Sequence, residues 1–253
     1  MQEVDHSSRK HALLSASGAK RWLNCTPSAR LEEKFQESGS STYAQEGTLA
    51  HEYSDIILRY KLGMISEKIY KAEVKKIYKS EFFSDEMTHE VEKYVNIVLE
   101  TYEEAKSICK DATIHIEQRL DFSHLVEKGF GTGDVTIIAD KIEWVIDLKY
   151  GKGVVVDADE NPQLMLYGSG ALRLYELNYD IETVRLMIIQ PRLNHYSSWD
   201  ISAEDLRAWG ENTVIPKAKN AYEGKGQKKV GDWCKWCKVK PSCRSYNEHN
   251  LEI

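Results

Sequence analysis

The spacing of apolar residues changes near residue 110, and the change predicts a helical part followed by a sheet. Before that point apolar residues recur at three- and four-residue steps, which is helical spacing. In the stretch 85–108 they form one face of a predicted long helix: Val91, Tyr94, Val95, Val98 and Leu99. Helices are also predicted over 15–37 and 45–60, with a loop at 38–42 between them. The state of the lysine-rich stretch 66–80 stays open.

Beyond residue 111 apolar and polar residues alternate in short runs, which predicts strands. These runs are 112–117, 134–139, 143–149, 183–190 and 197–201, with a tight turn at Asp140-Lys141 and helices over about 161–177 and 203–222. Helices around a small mixed sheet predict an α/β or α+β fold. We expect a single domain over 1–253, comprising a helical part (14–110), a sheet part (111–202) and a C-terminal part (203–253).

Composition agrees with a folded globular protein. Of the 253 residues, 42% are hydrophobic and 29% are charged, which is an ordinary balance for such chains. No run approaches the ~18 apolar residues of a membrane span. The stretch 1–10 is polar and lacks the apolar core of a signal peptide. We therefore expect a cytoplasmic protein with no membrane partner.

Charge is distributed unevenly along the chain. The net charge is −6, yet the segment 217–244 carries eight lysines and one arginine against two acids. A basic segment of this kind can follow the phosphates of a nucleic acid. The alternative is a solvated lysine-rich tail, and charge alone does not separate the two.

Acidic residues stand at neighbouring predicted strands in the middle of the chain. In Gly131-Thr-Gly-Asp134 an acid ends one β-like run, and Asp147-Leu-Lys149 places an acid and a lysine on one face of the next strand. Carboxylates and a carbonyl, here that of Leu148, are ligands that Mg²⁺ and Mn²⁺ prefer.

These residues predict a metal-dependent phosphodiesterase. In such a site the lysine ammonium of Lys149 holds the attacking water or stabilises the charge that develops on the phosphate. Gln163 and Tyr167, four residues apart, share a face of the following helix. A surface hairpin with paired charges of little energetic weight is the alternative.

Three cysteines lie close together near the end of the chain, in Cys234-Lys-Trp-Cys237-Lys-Val-Lys-Pro-Ser-Cys243. This spacing in a non-secreted chain favours metal binding over a disulfide. A closed site needs a fourth ligand, for which Cys25 and Cys109 are the candidates. Thiolate ligation fits Zn²⁺ or an iron–sulfur cluster, and spacing does not decide between them.

Taken together, the motifs resemble those of the PD-(D/E)XK nuclease superfamily, and within it the RecB-like nucleases. The family pattern is a helix with a histidine, a Gly-x-x-Asp strand end, an Asp/Glu-x-Lys strand and a Gln-x-x-x-Tyr helix. Here it reads Glu46-Gly-Thr-Leu-Ala-His51-Glu52, Gly131-Thr-Gly-Asp134, Asp147-Leu-Lys149 and Gln163-Leu-Met-Leu-Tyr167. The resemblance covers about 14–244 and implies a restriction-endonuclease-like core, with a small mixed central sheet flanked by helices.

The resemblance also implies roles for individual residues. His51, Asp134 and Asp147 would be ligands of Mg²⁺ or Mn²⁺. Lys149 would be catalytic, and Gln163 and Tyr167 would position the DNA strand. Two further acids, Glu52 and Glu117, are candidate accessory residues.

One subgroup of RecB-like nucleases carries one cysteine before the nuclease core and three after it, and these bind a [4Fe–4S] cluster that joins the two ends of the domain. The subgroup includes CRISPR-associated RecB-like nucleases and AddB-type subunits, with relatives in phages. Cys25, Cys234, Cys237 and Cys243 fit that pattern here, with Zn²⁺ as the alternative. Loss of the cluster is expected to detach the first helix from the tail.

The resemblance thus implies an exonuclease that acts at single-stranded or duplex DNA ends, in recombination, repair or phage DNA processing. Its setting would be a bacterial or phage-infected cell. The chain contains no Gly-x-x-x-x-Gly-Lys-Ser/Thr motif, so a helicase would have to be a separate partner, as would an annealing or recombination protein. A homo-oligomer would also fit. The alternatives are an endonuclease of the same fold and a non-catalytic, iron–sulfur-stapled DNA-binding module.

Overall fold

A computed structural model describes residues 12–35 and 41–251 of the chain. The polar stretch 1–10 and most of the predicted loop at 38–42 lie outside these residues. No helix in the described ranges combines the length and apolar character needed to cross a membrane.

Five helices make up the described portion of the helical part. They are α1 (Ala19–Asn24), α2 (Ser28–Glu32), α3 (Thr42–Lys61), α4 (Glu67–Ile77) and α5 (Asp85–Ile108). Serine side chains at the N-caps of α3, α4 and α5 each accept a hydrogen bond from a backbone amide in the first turn, which satisfies a donor that the helix leaves unpaired. The predictions of α3 and α5 are confirmed, and the lysine-rich stretch is the helix α4.

The prediction of one helix over 15–37 is wrong. The helix is interrupted at Cys25, Thr26 and Pro27, which lie between α1 and α2. A proline disfavours helical backbone at the residue before it, so α1 ends ahead of Thr26 and α2 begins after Pro27. The break turns Cys25 out of the helix.

The sheet has five strands in the order of the sequence. They are β1 (Thr113–Asp121), β2 (Phe130–Ala139), β3 (Ile142–Leu148), β4 (Thr183–Gln190) and β5 (His195–Ser202). Neighbouring strands are antiparallel except β3 and β4, which are parallel. The connection between these two includes helix α6 (Pro162–Tyr175). The structure confirms the predicted fold, a small mixed sheet flanked by helices.

Helices cover both faces of the sheet. One core contains residues of α3, α4 and α5, and the other contains residues of α1, α6 and the C-terminal helices. The latter are α7 (Ala203–Trp209) and α8 (Ile215–Glu223), joined by a π-helical turn at Gly210–Val214. A basic tail follows, and it ends in α9 (Arg244–Leu251).

Asp134 does not end its strand, contrary to the sequence prediction. It lies in the middle of β2, because Phe130–Gly133 continue the antiparallel pairing with β1. The pairing of β2 with β3, by contrast, stops at Val135 and Ile146. Asp134 therefore lies where β2 and β3 part, and its side chain can reach the end of β3.

Candidate functional site

Four elements meet where β2 and β3 separate. Helix α3 carries His51, whose Nδ1 lies 3.2 Å from Oδ1 of Asp134 on β2. Burial would lower the pKa of His51, but the adjacent Asp134 carboxylate, with Asp147 behind it, raises it to about 9. The histidine and the acid, 83 positions apart in sequence, thus form one charged pair.

Glu117 of β1 completes a group of three residues with metal-ligand chemistry. One ligand atom from each of His51, Glu117 and Asp134 lies within 4.8 Å of the other two. Glu117 has a positive φ of 51° in the middle of its strand, a conformation that L-residues seldom adopt and that strains the backbone beside the site. Two carboxylates and an imidazole at such distances fit a divalent cation.

The acids of this region have displaced pKa values. Desolvation and repulsion from Asp134 raise the pKa of Glu117 to about 7. Burial opposes the ionisation of Asp134, but His51 and the amide of Leu148 outweigh it and hold its pKa below the usual value. Desolvation raises the pKa of Asp147 in spite of Lys149. Displaced values of this kind concentrate at functional sites.

A second set of contacts joins β3 to α6. Nζ of Lys149 lies 2.8 Å from Oδ2 of Asp147 and donates to Oε1 of Gln163 at 3.0 Å. Nε2 of Gln163 in turn donates to Oδ1 of Asp147 at 2.8 Å. These three side chains form a closed triangle, which fixes the ammonium of Lys149 beside the acid.

The triangle and the metal-ligand group are linked through the backbone of β3. The amide of Leu148 donates to Oδ2 of Asp134 at 2.7 Å, so the peptide of Leu148 abuts the group. Asp147, which the resemblance makes a metal ligand, does not belong to the compact trio within 4.8 Å and pairs with Lys149 and Gln163 instead. Glu52 is exposed and lies outside the trio as well.

Tyr167 of α6 is buried, and its ring lies against Gly131 of β2. A Cβ built on Gly131 would come within 2.6 Å of its ring, so a residue without a side chain is needed at that position of β2. Burial, together with the charges of Asp147 and Asp134, raises the pKa of Tyr167 above its usual value, so the phenol is neutral. The glycine of the Gly131-Thr-Gly-Asp134 motif thus has a packing function.

Tyr94 of α5 is a residue that the sequence did not mark as part of the site. Its side chain is fully buried, and its hydroxyl has no hydrogen-bond partner among the described residues. Burial, followed by the charges of Asp134, Asp147 and Glu117, raises its pKa. A neutral hydroxyl thus lies within the electrostatic influence of the acids. Its position in an apolar helical stripe gave no signal of this.

The four cysteines that the resemblance groups together line one cavity. Cys25 reaches it from the end of α1, and the tail contributes Cys234, Cys237 and Cys243. The cavity has about 430 Å³ of atom-free space, including its solvent-open part. All four thiols are free, and burial raises the pKa of Cys25 and Cys237. Cys109, the other candidate, ends α5 and packs partly against a different core.

The cysteine sulfurs are not gathered as closely as the ligand atoms of the metal-ligand trio. A tetrahedral Zn²⁺ with bonds of about 2.3 Å would bring thiolates within roughly 4 Å of one another. Among the described residues, the trio of His51, Glu117 and Asp134 is the metal-ligand group compact within 4.8 Å. Of the described residues, no three cysteine sulfurs meet that 4.8 Å limit.

Contacts outside the cysteines also join the two ends of the chain. Nη1 of Arg21 donates to the carbonyl of Trp236 at 3.4 Å, and Nη2 pairs with Glu32 at 2.7 Å. The other carboxylate oxygen of Glu32 accepts from the amide of Lys238 at 2.8 Å. The protein itself thus holds the cysteine-bearing turn against α1 and α2.

Comparison with known proteins gives one family and a set of similar structures, of which two are described here. The model of a family described as "Protein of unknown function (DUF2800)" matches residues 11–253. A crystal structure described as that of a "Putative exonuclease" from Eubacterium rectale is 12% identical over 94% of this chain and 93% of that chain, with a TM-score of 0.48. The structure of SSO0001 is 15% identical over 87% of this chain and 95% of that chain, with a TM-score of 0.31.

Proposed function

The chain belongs to the DUF2800 family, whose description assigns no activity, and we propose from the site that it is a divalent-metal-dependent nuclease acting at DNA ends. One observation carries this proposal. The trio of His51, Glu117 and Asp134 lies beside a triangle that holds Lys149 against Asp147. A protein that only binds DNA would not need an acid–lysine pair next to a metal-ligand group.

The residues divide the chemistry between them. His51, Glu117 and Asp134 would hold Mg²⁺ or Mn²⁺, with Asp147 and the carbonyl of Leu148 as further proposed ligands. The bound ion would supply charge neutralisation and lower the pKa of a coordinated water. Glu117 enters this set because its carboxylate lies within 4.8 Å of the ligand atoms of His51 and Asp134, whereas Glu52 lies outside that trio.

The triangle would act on the nucleophile and the substrate. The ammonium of Lys149, fixed within 3.0 Å of two partners, would hold the attacking water or stabilise the developing charge at the phosphate. Gln163 and Tyr167 would position the DNA strand at the start of α6. Fixing the lysine beforehand avoids the cost of ordering a long side chain during the reaction.

We also infer that Cys25, Cys234, Cys237 and Cys243 hold a [4Fe–4S] cluster with a structural task. Support comes from the cavity that these four cysteines share and from the family resemblance. The cluster would join α1 to the tail. The basic residues around it, such as Lys228 and Lys240, would follow the phosphates of DNA.

The expected partners follow from the activity. DNA with a free end, single-stranded or duplex, would be the substrate, in recombination, repair or phage DNA processing. Any unwinding would come from a separate helicase, and products would pass to an annealing or recombination protein. An endonuclease of the same fold and a non-catalytic DNA-binding module are the competing functions.

The test uses protein purified without oxygen and incubated with Mn²⁺. End-labelled linear DNA and covalently closed circles are compared for the wild-type protein, for Asp147→Asn, and for Asp159→Asn as a control at an exposed position. We expect linear DNA alone to be degraded, and Asp147→Asn to lower the rate at least about 100-fold because Lys149 and Gln163 lose their charged partner.

Each result separates the competing functions. Cleavage of circles would identify an endonuclease. DNA binding without any cleavage by the wild-type protein, under conditions where it binds Mn²⁺, would favour the non-catalytic module. Equal loss of activity in Asp159→Asn and Asp147→Asn would contradict the role of the triangle.

A further inference from the structure

The end of β4 and the turn that follows it each contribute one polar side chain, and the two reach different parts of the proposed site. Gln190 is the last residue of β4, Pro191 is buried, and Arg192 follows. Gln190 is 1% exposed and the side chain of Arg192 is 10% exposed. Neither residue belongs to the metal-ligand trio or to the triangle. Burying the charged side chain of Arg192 is costly unless it has partners.

Arg192 connects the helical layer to the end of β3. Its guanidinium lies 3.1 Å from the carboxylate of Glu46 on α3 and 3.0 Å from that of Glu86 on α5. It also lies 4.6 Å above the ring of Tyr150, the residue next to Lys149. A planar guanidinium can serve two acids and a ring at once, which an ammonium cannot.

The partner Glu46 lies five residues before His51 on α3. The ion pair between Arg192 and Glu46 therefore fixes the position of the His51 segment of α3 relative to the sheet. Lys152, 2.6 Å from Glu86, attaches the chain after β3 to the same cluster. Loss of Arg192 would leave α3 docked through its apolar face but free to shift along it.

Gln190 is hydrogen-bonded to the loop that connects β3 to α6. Its Oε1 accepts from the amide of Val156 at 2.8 Å, and its Nε2 donates to the carbonyls of Val154 at 2.9 Å and Gly151 at 3.4 Å. This loop has Lys149 at one end and Gln163 just beyond the other. A single buried amide thus supports the backbone that sets the distance between two members of the triangle.

We propose that Arg192 and Gln190 are positioning residues that divide the site between them. Arg192 holds the His51 half and governs metal binding. Gln190 holds the half made of Lys149 and Gln163 and governs the rate of bond cleavage. The second statement rests on the proposed nuclease function, whereas the first concerns metal binding alone.

The two roles predict different kinetic signatures. Arg192→Met should weaken Mn²⁺ binding about 10-fold, at the low end of the effect of residues behind metal ligands, with the cleavage rate recovered at saturating Mn²⁺. Gln190→Met should leave Mn²⁺ affinity within about twofold and lower the single-turnover rate about 10-fold, since small displacements of reacting groups are costly. Calorimetric titration with Mn²⁺ alone measures the first effect, and rapid-quench cleavage of linear DNA measures the second.

Matched controls separate positioning from stability. Arg185→Met removes an arginine that lies within β4 and pairs with Asp200 at 2.7 Å. Gln118→Met removes another glutamine of the sheet, which donates to Tyr175. Both should leave Mn²⁺ affinity and cleavage rate unchanged. Arg192→Lys keeps the charge and should recover part of the Mn²⁺ affinity, which also covers the case in which Arg192→Met does not fold.

Hydrogen exchange followed by mass spectrometry tests the geometry directly. Arg192→Met should increase exchange over 42–51, and Gln190→Met over 150–158. Wild-type affinity for Mn²⁺ in Arg192→Met, or the same pattern in both variants, would overturn the division. If the wild-type protein binds Mn²⁺ but cleaves no DNA, the nuclease function fails while titration and exchange still decide the roles of Arg192 and Gln190.

Discussion

Gly131 shows how one residue without a side chain shapes the site. Any Cβ at this position would lie 2.6 Å from the ring of Tyr167, which is far inside van der Waals contact. The ring is 7% exposed and has little room to move. The first glycine of the Gly131-Thr-Gly-Asp134 motif therefore serves Tyr167, in addition to any role of backbone freedom.

We expect Gly131→Ala to destabilise the protein by about 1–3 kcal/mol, the usual range for overpacking of a filled core. It should also slow DNA cleavage, because Tyr167 would be displaced. Chemical denaturation and the linear-DNA assay measure the two effects.

Gly47→Ala provides a control of opposite sign. Gly47 lies within α3, and a Cβ there would meet nothing within 4 Å, so the substitution should stabilise the helix by up to about 1 kcal/mol. If Gly131→Ala proved as stable as the wild type, the packing role of Gly131 would be wrong.

At the scale of an element, β3 is buried more deeply than its alternating sequence suggests. The strand lies between β2 and β4 and is covered on both faces, so the polar positions of the alternation are buried along with the apolar ones. Glu143 is fully buried, and its carboxylate has no hydrogen-bond partner among the described residues. Desolvation raises the pKa of Glu143 well above its usual value of 4.5, so the folded protein keeps this acid protonated.

This burial predicts a pH dependence of stability. Above about pH 4.5 the unfolded chain releases the Glu143 proton while the folded state retains it, so the free energy of unfolding falls as pH rises, by up to about 1.4 kcal/mol per pH unit. Glu143→Gln removes the titrating carboxyl group and, with it, this pH dependence of the free energy of unfolding. The variant should gain stability relative to the wild type between pH 5 and pH 8, as measured by urea denaturation at each pH.

Glu92→Gln, at an exposed position of α5, serves as the comparison and should show the wild-type pH profile. Parallel profiles for Glu143→Gln and the wild type would mean that Glu143 ionises in the folded protein.

At the scale of the whole molecule, the N-terminal segment and the tail are held together by more than the cysteines. Arg30 donates to the carbonyl of Tyr222 at 2.6 Å and lies over its ring. Thr26 donates to the carbonyl of Lys225 at 2.6 Å. These contacts attach α1 and α2 to the end of α8, upstream of Cys234. We therefore expect loss of a cluster to free the cysteine-bearing tail from the first helix, while α1 and α2 stay docked on α8.

A variant with Cys234, Cys237 and Cys243 changed to serine should separate these attachments. Iron and acid-labile sulfide, which we expect in equal amounts in the wild-type protein, should be absent from this variant. Trypsin should then cut the lysines of the tail faster, while α1 and α2 remain docked on α8. Cys109→Ser should keep both the cluster and the wild-type cleavage pattern.

The elemental content also decides the identity of the bound group. Zinc in place of iron and sulfide would support the alternative ligand. Release of α1 together with the tail would show that the cluster, rather than Arg30 and Thr26, joins the two ends.

Local sequence was sufficient for much of this architecture. Apolar periodicity and alternation predicted α3, α5 and all five strands, because such signals act over a few residues. The motifs also selected His51, Asp134, Asp147 and Lys149. The break between α1 and α2 was missed because helical periodicity outweighed the proline signal at Pro27.

The tertiary structure decided which of these residues meet, since contacts across many sequence positions depend on packing. It brought Glu117 into the metal-ligand trio and left Glu52 outside, although Glu52 is next to His51 in sequence. It placed Cys25, rather than Cys109, at the cavity of the tail cysteines. It also buried Glu143, because a strand becomes central only when its neighbours on both sides have folded against it.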